Sequence, residues 1–235
     1  VPLIHSLPQA QYQTVSIASG FSNVIHAAVQ PNGNVIAVTS CGIAPSTGNL
    51  WAVHPKLEVL SDKDWGQAKA AFSNTSKQAR DPSDPNTEVC VIKDNKVHRM
   101  QPRVGATAAL RMHLRAAEPL SLRVGINGDE EIEGDVVAAC GTGGVGFFLA
   151  TSTATFDTFT DPAALVKSGG YLQGRLYLCS IDTGAAILVH AHGPWGDVVS
   201  MVYHGGELIA FGGNNVIEVT KVLPPARAPF LPLMS

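Results

Sequence analysis

The chain has 235 residues, 45% of them hydrophobic and only 15% charged, with a formal net charge of −3. That length buries a full core in one large or two small domains, and so sparse a charge leaves surface for protein–protein contacts. Mild acidity without a Lys/Arg-rich arm excludes a general polyanion binder, and no run approaches the about 18 apolar residues of a membrane helix.

From the N-terminus, "VPLIHSLPQAQYQ" has neither a basic region nor a continuous apolar core, so it does not read as a secretory signal. Residues 1–13 are Pro-punctuated, apolar and without period, and predict an extended arm rather than a strand. "QTVSIAS" alternates as a strand does. "NVIHAAVQPNGNVIAVTS" predicts two strands joined at Asn32-Gly33, the dipeptide favoured in tight hairpins. "LWAVHPKLEVL" is interrupted by Pro55, which favours an edge or a bend. Residues 61–80 predict the one helix of the chain. Ser61 or Asp62 caps it, acidic residues fill its first turn, and Trp65, Ala68 and Phe72 share a face at helical spacing.

After the loop "DPSDPN", strands resume with a hairpin predicted around Asp94-Asn95. In "ALRMHLRA", Leu110, Met112 and Leu114 alternate with Arg111, His113 and Arg115, as on a strand with one wet face. "LSLRVGING", "DVVAAC", "VGFFLATSTATF", "GRLYLCSI", "AAILVHA", "DVVSMVYH" and "NVIEVTKV" complete about a dozen strands. Residues 223–235, "LPPARAPFLPLMS", predict a second extended arm. The four cysteines, Cys41, Cys90, Cys140 and Cys179, form no CxxC, and the last three sit in apolar runs, where a buried free thiol is a better explanation than zinc or a disulfide.

Three motifs carry a chemical suggestion. "CGTGGVG" matches G-x-G-x-x-G through Gly141, Gly143 and Gly146, but the segment after it is Thr- and Phe-rich strand rather than a helix to receive a pyrophosphate. A glycine hairpin is the better reading. "GDEEIEGD", residues 128–135, groups five carboxylates and reads as a solvated acidic loop before a hard-cation site. "LVHAHGPWGD" places His190 and His192 two apart, on one face if the segment is a strand. No G-x-S-x-G, H-E-x-x-H or Cys–His pairing is present, so no nucleophile is apparent.

Gly184-x5-His190-x-His192-x4-Asp197-x7-Gly205 resembles the first motif of the cupins, metal-binding β-barrels. The resemblance implies His190, His192 and Asp197 as ligands, with Asp197 where the family has Glu. The second motif, with its further histidine, has no counterpart after residue 205. Residues 174–213, and more loosely 23–40, have the rhythm of a propeller blade, a fold that needs its period of about 40 residues to recur. The β-rich chain with two apolar arms most resembles viral coat proteins of the jelly-roll kind.

The resulting expectation is one all-β domain over 1–235. It is an antiparallel β-sandwich of the jelly-roll kind, with one helix near 61–80 and extended arms at 1–13 and 223–235. The expected function is that of a non-enzymatic, self-assembling coat, shell or spike subunit of a virion. It needs no cofactor and contacts copies of itself or other shell subunits through arms and sheet edges. Nucleic acid contact would come without a basic arm. The alternatives are a cupin-like metalloprotein and a propeller or lectin-like binding module.

Overall fold

A computed structural model of the chain describes residues 23–29, 35–40, 48–54, 58–61, 64–74, 88–104, 110–114, 119–125, 128–144, 146–153, 172–212 and 217–221. Among these residues the fold is all-β and almost wholly antiparallel, as the alternating strands predicted. No helix is long and apolar enough to cross a membrane.

Four sheets succeed one another along the chain. Sheet A contains β1 (Val24–Val29), β2 (Val35–Thr39), β3 (Leu50–His54) and β4 (Glu58–Ser61) in that spatial order. Sheet B contains β5 (Ala70–Asn74), β6 (Glu88–Lys93), β7 (Lys96–Val104) and β8 (Leu110–Leu114), with the short β9 (Leu120–Ser121) also paired to β7. Sheet C is built from β10 (Arg123–Val124), β11 (Glu130–Glu131), β12 (Asp135–Gly141), β13 (Gly146–Ser152), β14 (Gly174–Ser180) and β15 (Ala185–His190). Its order is β11-β10-β15-β14-β13-β12, and β10 runs parallel to β15. Sheet D is the meander β16 (Val198–His204), β17 (Glu207–Gly212) and β18 (Ile217–Lys221). Hairpins make these meanders cheap to close. Asp94 and Asn95 both sit at positive φ between the paired Lys93 and Lys96, which asparagine and aspartate tolerate better than most residues.

Because side chains alternate across a strand, each inner sheet presents one apolar set to each neighbour. Ile36, Val38 and Leu50 of sheet A meet Val89, Val91 and Met100 of sheet B. Phe72, Cys90 and Ile92, on the other face of sheet B, meet Val136, Phe147 and Leu149 of sheet C. Phe148, Cys140 and Ala150, from the opposite face of sheet C, meet Met201, Leu208 and Ala210 of sheet D. The face-to-face packing expected of a sandwich therefore occurs three times, joining four sheets in chain order. Arg99 and Asp182 add an ion pair at 3.2 Å between sheets B and C.

The predicted helix is not formed. Residues 64–69 are irregular and residues 70–74 are strand β5, while 75–80 lie outside the described residues. Trp65 and Ala68 do share one core, but Phe72 enters the next one with Ala70, and Ala71 points back toward sheet A. The residues read as one helical face are the two faces of a buried strand with its lead-in, and burial outweighs the helix propensity of the alanines. A second correction concerns residues 174–213. They are not one blade: β14 and β15 end sheet C, β16 and β17 begin sheet D, and the 3-10 turn Pro194–Asp197 separates them. The arms predicted at 1–13 and 223–235 lie outside the described residues.

Two junctions are built alike. Trp65-Gly66 leads from sheet A to sheet B, and Trp195-Gly196 leads from sheet C to sheet D. Both indoles are buried, Trp65 to 2% and Trp195 to 1% exposure. Gly48, just before β3, lies so close to Gly66 that a Cβ would stand 2.7 Å from its nitrogen and 2.0 Å from the Thr39 carbonyl oxygen. Gly174, at the start of β14, repeats this against Gly196 and Thr151, at 2.3 and 2.0 Å. Backbone bonds close the clamp: Gly196 N–H donates to Leu172 at 3.1 Å and Gly174 N–H to Gly193 at 3.0 Å.

Candidate functional site

An edge strand of each sheet, β1, β5, β12 or β16, lines one shared cavity of about 300 Å³. Ala27, Ala70, Ala71, Ala138 and Ala139 form nearly half of its wall, and Val199, Ser200 and Met201 close it from β16. Four strands can approach a common axis only where side chains are small, so the alanines permit the convergence. Three of these strands are also irregular there, with register shifts between Val24 and His26, Val136 and Ala138, and Val198 and Ser200. Such a bulge adds local twist and re-aims the side chains beside it.

A wider cavity of about 760 Å³ shares Ile25, His26 and Lys69 with the first and carries the polar groups. Lys69 brings a cation, Asp94 and Asp135 bring carboxylates, and Asn95 completes the polar rim. The Asn95 side chain is already committed. Its Nδ2 donates to the Gly134 carbonyl at 3.4 Å, and its Oδ1 accepts from Val136 N–H at 3.3 Å, tying the β6–β7 hairpin to the start of β12. His26 donates from Nε2 to the Ala68 carbonyl at 2.9 Å, which leaves Nδ1 as an acceptor in the neutral ring. Burial lowers the His26 pKa, Lys69 lowers it further, and the Ala68 bond opposes both, so the ring is neutral at neutral pH. The mouth therefore offers one ammonium, two carboxylates and a neutral acceptor.

The metal ligands suggested by sequence are placed differently. His190 ends β15, exposed, with its ring edge-on to Trp195 at 5.5 Å between centroids. His192 lies beyond the strand in the bend leading to Pro194, so the two imidazoles do not share a strand face. Asp197 accepts the Leu172 N–H at 2.8 Å, a structural task at the clamp around Gly174. Gly205 and Gly206, at φ 60° and 88°, form the β16–β17 turn rather than a motif boundary. Among the described residues no group of three or more His, Cys, Asp or Glu side chains is placed to hold a metal ion. Gly141, Gly143 and Gly146 mark the β12–β13 hairpin, where Thr142 N–H donates to the Gly146 carbonyl at 3.0 Å. In the acidic loop Glu133 pairs with Arg175, and Asp135 reaches the mouth.

No protein-family model and no curated protein matches the chain. Solved structures give slight likenesses. The computationally designed Ika4 protein aligns over 90% of this chain and 98% of its own, with 13% identity and a TM-score of 0.42. The designed Ika8 protein aligns over 88% and 48%, with 13% identity and a TM-score of 0.39. The tricorn protease aligns over 86% and 25%, with 9% identity and a TM-score of 0.34. None of these is close enough to carry a fold or a function.

Of the cavity residues, Asp94 falls in a predicted hairpin and Asp135 closes the acidic stretch 128–135, but nothing in the sequence joins either to His26 or Lys69. A signal for them is nevertheless present. Gly-Asp-Val-Val occurs twice, at 134–137 and 196–199, and each copy opens a strand that lines the axis. Trp65–Phe72 and Trp195–Val202 also align without a gap, so a search for repeated strand starts would lead to the axis.

Proposed function

We propose that the chain is a non-enzymatic binding module of the propeller type, which takes its ligand at the axial mouth. The observation that carries this reading is a pair of cavities sharing Ile25, His26 and Lys69, one lined by edge strands of all four sheets and the wider one by Lys69, Asp94 and Asp135. A concave site with a few convergent polar groups on a rigid β framework is the usual form of a ligand pocket, and about 760 Å³ lies within the usual range. The mixed charge favours a ligand bearing both an ammonium and a carboxylate, as free amino acids and short peptides do. A thermal-shift and NMR titration with amino acids and tripeptides tests it. Binding that perturbs Ala27, Lys69 and Ala139 is expected, and shifts confined to the outer strands would remove the mouth from consideration.

A second reading, a self-assembling structural subunit such as a viral coat or shell protein, is favoured by one observation. Sheet D leaves Val199, Val202 and Phe211 exposed.

A further inference from the structure

The inner cavity of about 300 Å³ has a wall of strand edges. Each of β1, β5, β12 and β16 is an edge strand, so alternate N–H and C=O groups point away from its own sheet without a ladder partner. Among the described residues no backbone hydrogen bond joins one of these four strands to another. The register shifts in β1 and β16 skip Ile25 and Val199, both in the cavity wall, and a residue skipped by the ladder is left unpaired. The methyl groups of Ala27, Ala71 and Ala139 are too short to cover these backbone groups, and Ser200 adds a hydroxyl. Among the described residues Lys69 is the one charged side chain in this wall that has no neutral form near pH 7, and it stands where the two cavities meet.

We propose that the inner cavity receives the last side chain of a short peptide and selects an uncharged amide, glutamine before glutamate or methionine. This selection rests on the axial mouth being the peptide site. A C-terminal carboxylate held by Lys69 lies at the boundary of the two cavities. The peptide's N-terminus then extends toward Asp94 and Asp135, and its last side chain enters the inner cavity. A primary amide brings two donors and an acceptor, matching a wall that holds unpaired groups of both kinds. Glutamate has the same shape but only accepts, and its charge would enter a wall whose one cation already holds the terminal carboxylate. Methionine has nearly the same length, but it strips water from the strand edges and returns no hydrogen bond.

Calorimetric titration of the full chain with the tripeptides Gly-Gly-Gln, Gly-Gly-Glu and Gly-Gly-Met tests it, because the three differ only in the last side chain. Gly-Gly-Gln is expected to bind at least about tenfold more tightly than either of the others. Ala27→Leu fills the inner cavity from β1, where Ala27 is exposed and the fold should tolerate the change. In that variant Gly-Gly-Gln should bind no better than Gly-Gly-Gly. Ser200→Leu fills the cavity from β16 should Ala27→Leu fail to fold. A glutamine preference that disappears in the filled variant supports the proposal. Equal affinity for the three peptides overturns it while leaving the mouth as the binding site, as does a preference that survives filling. Binding of none of the three overturns it together with the reading of the mouth.

Discussion

Gly174 and Gly196 meet backbone to backbone, so closely that a Cβ on Gly174 would stand 2.3 Å from the Gly196 nitrogen. The atoms in the way are main chain, the Thr151 carbonyl among them, and cannot swing aside. Gly174→Ala is therefore expected to destabilise the fold by about 3 kcal/mol, and Gly48→Ala at the equivalent junction by a similar amount. Gly144→Ala, with nothing within 4 Å of its Cβ, is the control and should be nearly neutral. Denaturant midpoints measure all three.

Trp195 is wedged between sheets C and D beside Leu176 and Leu208, and Trp65 between sheets A and B beside Leu50 and Met100. Truncating either indole removes a large buried surface and leaves a hole that the flanking sheets cannot close. Trp65→Ala and Trp195→Ala should each cost about 3–5 kcal/mol. They serve different cores, so in a background stable enough to carry both, the double variant should cost nearly the sum.

Folding partly buries two histidines in neutral form. His98 meets the edge of Trp65 at 5.2 Å between ring centroids, with its Nε2 buried and without a hydrogen-bond partner. Its pKa is lowered from the ordinary 6.5, first by burial and then by Lys93, with Asp94 opposing; that of His26 is lowered for similar reasons. The unfolded chain binds these protons more readily than the folded one. Stability is therefore full above about pH 6.5 and falls as the pH drops from there toward the folded values. Urea midpoints between about pH 8 and pH 5 should show this fall, and His98→Phe should flatten part of it. An unchanged slope in that variant would contradict the burial of a neutral ring.

The thiols should be inert while the fold is intact. Burial pushes the Cys140 thiol up to about 12, against a smaller opposing effect of its backbone contact with Phe148, and raises Cys179 as well. Only the thiolate attacks a disulfide reagent, so neither residue should react at neutral pH until the chain is unfolded. Time-resolved titration with an aromatic disulfide, followed by mass mapping, checks this.

Much of the architecture is legible in the sequence because its determinants are local. Period-two alternation in "DVVAAC" and "GRLYLCSI" marks strands, and Asp94-Asn95 marks a hairpin that the structure contains. The helix expected at 61–80 fails because Trp65, Ala68 and Phe72 fit a helical face equally well as residues on two sides of a buried strand. What distinguishes the two is which sheet lies on each side, and that is long-range information. The axial mouth is invisible for the same reason: His26, Lys69, Asp94 and Asp135 come together only when strands from three sheets converge. His190 and His192 are conspicuous because they are close in sequence, yet β15 ends at His190 and the turn Pro194–Asp197 carries the chain away to the next sheet.

Charge reversal at the axial mouth is the most direct test that it is the binding face. Calorimetric titration of the best-binding tripeptide against the wild-type chain, Lys69→Glu and Asp135→Lys separates the possibilities. Lys69 and Asp135 are both exposed, so neither change should move the melting temperature appreciably. Each variant is expected to weaken binding at least about tenfold, through loss of one charge-assisted contact. Unchanged affinity in both variants, with the fold intact, would show that the ligand binds elsewhere.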